Sequence, residues 1–189
     1  MNKPNNYENT STGEFTPVAP GGHHMIIRKV AEQQSRTGKD MLVVYVDFAQ
    51  NDVQPAYMTN QYREDTRADK KWPNVGTIYI VSTDRDGNCS RSLKSFITCF
   101  EKSNNTQVNW CDGPQFANQF VGKKIGGVFG RVEEEYNGER KMKTRHRWFC
   151  EDSKADSATI PEDKMLPKQA VDAATGFTQV DMTEDDLPF

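Results

Sequence analysis

No stretch of this chain approaches the roughly 18 consecutive apolar residues that a membrane-crossing helix requires. The opening residues Met1-Asn2-Lys3-Pro4-Asn5-Asn6 have no apolar core of the kind a secretory leader carries, so a cytoplasmic location is expected. Cysteine is sparse. Cys89, Cys99, Cys111 and Cys150 are far apart with no C-x-x-C pair, and in such a chain reduced thiols are expected rather than a disulfide framework. A zinc site drawing Cys89, Cys99 or Cys111 together with His23, His24 or His146 lacks the usual ligand spacing. Also missing are a phosphate-cradling G-x-x-x-x-G-K-[ST] loop, a G-x-S-x-G elbow and an H-E-x-x-H pair, so no motif calls for a nucleotide, metal or other cofactor. There is no internal repeat.

What is present is charge, unevenly placed. Residues 1–150 hold 21 basic and 17 acidic residues, a net of +4, while 151–189 hold three basic and ten acidic, a net of −7. A mildly basic body joined to a strongly acidic tail points to a polyanion as the body's partner. Such a tail can also compete for the body's own groove. At 189 residues the chain suffices for one domain and a tail.

Residues 1–20, rich in Asn, Thr, Ser and Pro, read as a flexible N-terminal arm. A first strand is predicted over 23–32 and a Gly38-containing hairpin follows. The strongest strand is 40–48, with Leu42, Val44, Val46 and Phe48 on one face and Met41, Val43, Tyr45 and Asp47 on the other. The polar stretch 49–74 is too long for a tight hairpin and predicts a short helix or turn of its own. A third strand over 77–83 ends in the turn cluster Asp84-Arg85-Asp86-Gly87-Asn88. Leu93, Phe96, Ile97 and Phe100 then recur at helical spacing, predicting a helix over 92–102 with these residues in the core. Residues 123–135 and 142–150 read as two strands joined at Asn137-Gly138. Gly126, Gly127 and Gly130 would permit a sharp bend or bulge in the fourth strand. The order strand-strand-strand-helix-strand-strand is that of an OB fold: mainly β, a five-stranded barrel with one helix between its third and fourth strands. The domain expectations are a body over 21–150, an acidic linker over 151–180 and a tip over 181–189.

The chain ends Glu184-Asp185-Asp186-Leu187-Pro188-Phe189. Pro188 neither continues a helix nor joins a sheet interior. Phe189 suits a partner's apolar pocket, with the carboxylates held by basic residues. The plain alternative is a solubilising acidic tail. This ending resembles the acidic tip of bacterial and phage single-stranded DNA-binding proteins, which typically finish Asp-Asp-Asp-Ile/Leu-Pro-Phe; Glu184 replaces the first Asp. The resemblance covers these six residues only. It implies an OB-fold body and a tip that docks replication, recombination and repair proteins, in a phage or mobile element. A homo-oligomer is compatible with the sequence.

Binding single strands without sequence preference needs cations for phosphates and flat rings for bases. Lys143, Arg145 and Arg147 alternate along the fifth strand as a row spaced roughly 6–7 Å, with His146 and Trp148 expected on the other face. The bland reading is a solvated face paired with Glu133–Glu135 across the hairpin. Phe129 and Arg131 share a face of the fourth strand, and Lys70-Lys71-Trp72 forms either a loop platform or a core plug. Tyr45 and Tyr79 lie where an OB fold's binding face would be, and Arg28 and Lys39 are further phosphate candidates. The rival from another class is a magnesium-dependent nuclease built on Asp47, Asp84, Asp86 and Glu133–Glu135. A turn explains Asp84-x-Asp86-Gly87 equally well, since Ser95 stands where a calcium loop closes on Glu. RNA-binding and protein-adaptor roles are open to the same fold.

Overall fold

The fold is described from a computed structural model covering residues 16–167 and the paired dipeptides Ala170–Val171 and Thr178–Gln179. Five strands form one antiparallel sheet: β1 (Gly21–Gln34), β2 (Asp40–Phe48), β3 (Thr77–Val81), β4 (Lys124–Tyr136) and β5 (Glu139–Cys150). Their order is β3-β2-β1-β4-β5, so β3 and β5 are the edges. Helix α1 (Tyr57–Glu64) fills the polar stretch after β2, α2 (Arg91–Asn104) follows β3, and the five-residue α3 (Pro114–Asn118) precedes β4. β6 (Ala170–Val171) and β7 (Thr178–Gln179) pair with each other.

Period-two alternation builds the inner face. Leu42, Val44, Val46 and Phe48 of β2 join Met25, Ile27 and Val30 of β1, Ile78 and Ile80 of β3, and Ile125 and Phe129 of β4 in one core. The apolar stripe of α2 closes that core, with Leu93, Phe96, Ile97 and Phe100 all buried. Ser90 caps α2 by accepting from the Leu93 N–H at 3.1 Å. Its hydroxyl also donates to Val81 O at 2.5 Å, tying the helix start to the end of β3. Helix α1 has no cap of its own; the buried Asp47 supplies one from β2, accepting from the Met58 N–H at 2.9 Å and from the Thr59 hydroxyl. Arg28, exposed at the β1 bulge between Ile27 and Lys29, donates to the same carboxylate at 3.2 Å.

The three glycines of β4 serve close approach. A Cβ on Gly126 would meet the Cys150 sulfur at 2.6 Å, one on Gly127 the Met25 side chain at 2.3 Å, and one on Gly130 Pro161 at 2.4 Å. The bulge in the β4–β5 ladder arises in β5 instead. Val128 faces Trp148 and Phe129 faces His146, so Arg147 is the extra residue.

Residues 151–167, read from the sequence as the start of an acidic linker, pack on the sheet. A 3₁₀ turn over Asp152–Lys154 leads to Ala155, which is 1% exposed. Lys164 makes a parallel bridge with Val132, donating its N–H to Arg131 O and accepting from the Glu133 N–H. Polar side chains fasten the segment at its start. His24 reaches Asp152 at 2.8 Å and Asp156 at 3.2 Å, and Lys102 reaches Glu151 at 3.0 Å. Burial works against charge on His24, but hydrogen bonds and charge from Asp152 and Asp156 outweigh it and raise its pKa. The neighbouring His23, 1% exposed, stacks on Phe48 at 4.1 Å and shares a 2.9 Å hydrogen bond with Asp52.

Candidate nucleic-acid interface

The outer face of β1, β2 and β3 is set by ladder register. Lys29, Tyr45 and Thr77 lie side by side across the three strands, and Ala31, Val43 and Tyr79 form the next row. The Lys29 ammonium sits 5.8 Å from the Tyr45 ring centroid, within cation–π range. Tyr45 is half-buried, whereas Tyr79 is 49% exposed.

Edge strands β3 and β5 form the two walls of one cleft of about 880 Å³. Thr77, Ile78, Tyr79 and Ile80 line one side, and Arg145 through Phe149 line the other. Arg91, Ser92 and Ser95 of α2 complete it. Trp148 is 44% exposed. The bulge at Arg147 decides which residues face outward. His146 and Phe149 both turn to the core, 4.3 Å apart between ring centroids, while Trp148 joins Arg145 and Lys143 on the outer face. The expected pairing of Trp148 with His146 on one face is therefore corrected, because one inserted residue reverses the alternation. Burial depresses the His146 pKa to about 3, so this ring stays neutral at ordinary pH.

The cation row is not open. Arg145 holds Glu134 through two bonds of 2.5 and 2.8 Å, and Lys143 reaches the same carboxylate at 3.2 Å. Hydrogen bonds from Arg145, opposed in part by burial, hold the Glu134 carboxyl below its usual range. Arg147 donates to Glu162 O at 3.5 Å. The cross-hairpin pairing weighed from sequence thus accounts for Lys143 and Arg145. Arg131 pairs with Asp163 at 3.0 Å.

Six other candidates lie elsewhere. Phe129 is corrected from surface to core: fully buried, its ring meets Phe48, His23 and His146 at 5.3–5.5 Å. Trp72 packs against the core and donates its indole N–H to Val46 O at 3.0 Å, the plug reading rather than a free platform. Lys39 donates to Asp84 O at 2.7 Å, clipping the first hairpin to the turn after β3. Arg28 is held by Asp47. Lys70 lies 5.8 Å from the Tyr62 ring centroid, and Tyr62 meets Trp72 at 5.7 Å, so Lys70 and the exposed Lys71 belong to a cluster beside α1. The tip residues Glu184, Asp185, Asp186, Leu187, Pro188 and Phe189 lie outside the described residues.

Sequence reasoning missed Lys29 and Arg91. Lys29 is the cation opposite Tyr45, a pairing visible only once the β1 bulge sets the register. Arg91 carried a signal, since a cation in the first turn of a helix opposes the macrodipole and needs another reason to be there.

The chain matches no family model and no curated protein sequence. The rival's carboxylates have local work: Asp47 anchors α1, and Asp84 accepts from the Asp86 and Asn88 N–H groups in its own turn. Glu133 accepts from the Leu166 N–H. Among the described residues no group of three or more His, Cys, Asp and Glu side chains is placed to hold a metal ion. The four cysteines are unbonded, and burial pushes the Cys150 thiol up to about 11. No described helix is long and apolar enough to cross a membrane.

Proposed function

We propose that this chain is a sequence-nonspecific single-stranded DNA-binding protein of replication or recombination, which recruits partner enzymes through its acidic C-terminal tip. The observation that carries the reading is the cleft between β3 and β5. It brings two exposed rings, Tyr79 and Trp148, together with Arg91, Arg145 and Arg147. A ring on each wall offers stacking surfaces that accept any base, and the guanidinium groups suit phosphates. Lys29 and Tyr45 extend the same chemistry across the outer face of the first three strands.

The sheet order β3-β2-β1-β4-β5, with α2 between β3 and β4, supports an OB-fold reading in which the two edge strands approach each other across the cleft. In that reading the nucleotide strand crosses the β2–β3 face and passes between Tyr79 and Trp148. The β4–β5 hairpin flanks its path. The tip 184–189 is the family-like element, and its Phe189 suits a partner's apolar pocket.

Binding of the purified chain to oligo-dT, oligo-U and duplex DNA over a salt series tests this. On single strands log K should fall by about 0.7 per log unit of salt for each phosphate neutralised. A flat salt response, or duplex binding as tight as oligo-dT binding, would overturn the reading. Tighter binding of oligo-U would move the substrate from DNA to RNA. Magnesium-dependent loss of the oligonucleotide would favour the nuclease instead.

A further inference from the structure

Two cations of β5, Arg145 in the cleft wall and Lys143 two residues before it, are already bound to an anion of the protein itself. Glu134 lies on the outer face of β4, two residues beyond Val132 and four beyond Gly130, whose ladder partners are Lys143 and Arg145. Its carboxylate accepts two parallel bonds from Arg145, at 2.5 and 2.8 Å, with Lys143 at 3.2 Å completing a three-point grip. A planar guanidinium grips a carboxylate and a phosphodiester with the same two-bond geometry. The grip is accessible: the side chains of Glu134, Arg145 and Lys143 are 31%, 32% and 48% exposed. Other acids of the hairpin are committed differently, with Glu133 and Glu135 reaching Arg140 and Glu139 reaching Lys141.

We infer that Arg145 and Lys143 form a backbone-phosphate site which Glu134 occupies in the free protein, and that a bound strand displaces Glu134 from it. This rests on the single-strand reading and adds a residue that sets its affinity. No covalent step is involved. A phosphate that enters exchanges one anion for another on the same donors, so part of the electrostatic gain of binding offsets the lost ion pair. Glu134 therefore weakens binding while keeping the two cations ordered and in place for a phosphate.

The test uses the full chain and fluorescent oligo-dT. Glu134→Gln keeps the shape and removes the charge. It should bind about five- to tenfold tighter at low salt, with a salt slope steeper by up to about 0.7. Glu139→Gln, on the same hairpin but paired with Lys141 rather than with Arg145 or Lys143, should change affinity less than about twofold. The gain from Glu134→Gln should vanish when Lys143→Gln and Arg145→Gln are also present. In the otherwise wild-type chain, that pair of substitutions should by itself weaken binding about tenfold, which keeps the idea open to refutation should Glu134→Gln fold poorly. Unchanged or weaker binding by a folded Glu134→Gln protein would overturn the inference, as would an equal gain from Glu139→Gln or a gain that survives loss of both cations. If wild-type protein binds oligo-dT and Glu134→Gln behaves identically, only this inference fails. If neither binds, the cleft's assignment fails and this falls with it.

Discussion

Gly22→Ala should detach residues 151–167 from the sheet. A Cβ at position 22 would stand 1.9 Å from Ala155 O, 2.8 Å from its carbonyl carbon and 2.9 Å from Ala158 Cβ. Ordinary contact needs about 3.5 Å, so the segment must retreat by roughly 1.5 Å. The obstacle is backbone, which cannot swing aside as a flexible side chain could. Retreat would expose Ala155 and lengthen the bonds from His24 to Asp152 and Asp156. Overpacking of this kind costs about 1–3 kcal/mol. For a chain of this size that lowers the melting temperature by about 3–10 °C. Thermal melts and limited proteolysis read the effect together, with new cleavage expected between 151 and 167. Gly38→Ala is the control: φ is +76° there and nothing beyond the adjacent residues lies within 4 Å of the added Cβ, so only backbone strain is added. If Gly22→Ala leaves both the melting temperature and protease resistance unchanged, the segment does not lie on this face and the packing argument fails.

Trp148→Ala and Tyr79→Ala should each weaken oligo-dT binding by about 1–3 kcal/mol with little change in melting temperature, as read by fluorescence titration; unchanged affinity for both would remove the stacking role. The raised His24 pKa stabilises the fold below the ordinary histidine range, and that contribution is lost as pH rises through the folded value. Melting temperature should therefore decline on passing from pH 6 towards pH 8, and Asp152→Asn should flatten the decline. Asp52 behaves with the opposite sign: burial raises its pKa, but the bonds from His23, Gln54 and His24 outweigh this and lower it. Stability supplied by Asp52 is present above its unfolded pKa and lost as pH falls through the folded value, so Asp52→Asn should blunt acid unfolding. Deleting 184–189 should leave oligo-dT affinity unchanged or slightly tighter while abolishing capture of a tip-binding partner; a large loss of affinity would assign the tip to the fold.

The strands and the main helix were legible because their signals are local. Alternation over 40–48 and the i, i+3, i+4, i+7 stripe of 93–100 each bury one face whatever surrounds them. Asn137 and Gly138 both adopt positive φ, as the hairpin signal requires. The site was half legible. Tyr79, Arg145, Arg147 and Trp148 meet in one cleft, while Phe129 and Trp72 are claimed by the core. Composition does not distinguish a ring that stacks a base from one that plugs a barrel, since both are apolar and flat. Glu134's grip on two cations was foreseeable as cross-strand pairing, but its geometry was not.

The sequence by itself determined where this chain is extended, where it turns, and that cations and rings recur along its strands, because those properties depend on neighbours within one or two turns. Tertiary structure alone decided which of them face one another. A single inserted residue at Arg147 turns Trp148 outward and His146 inward, and outward-facing Gly22 and Gly130 let an acidic segment lie flat on the sheet. These contacts join residues well separated along the chain, Val128 with Trp148 and Gly22 with Ala155, and no local pattern encodes them.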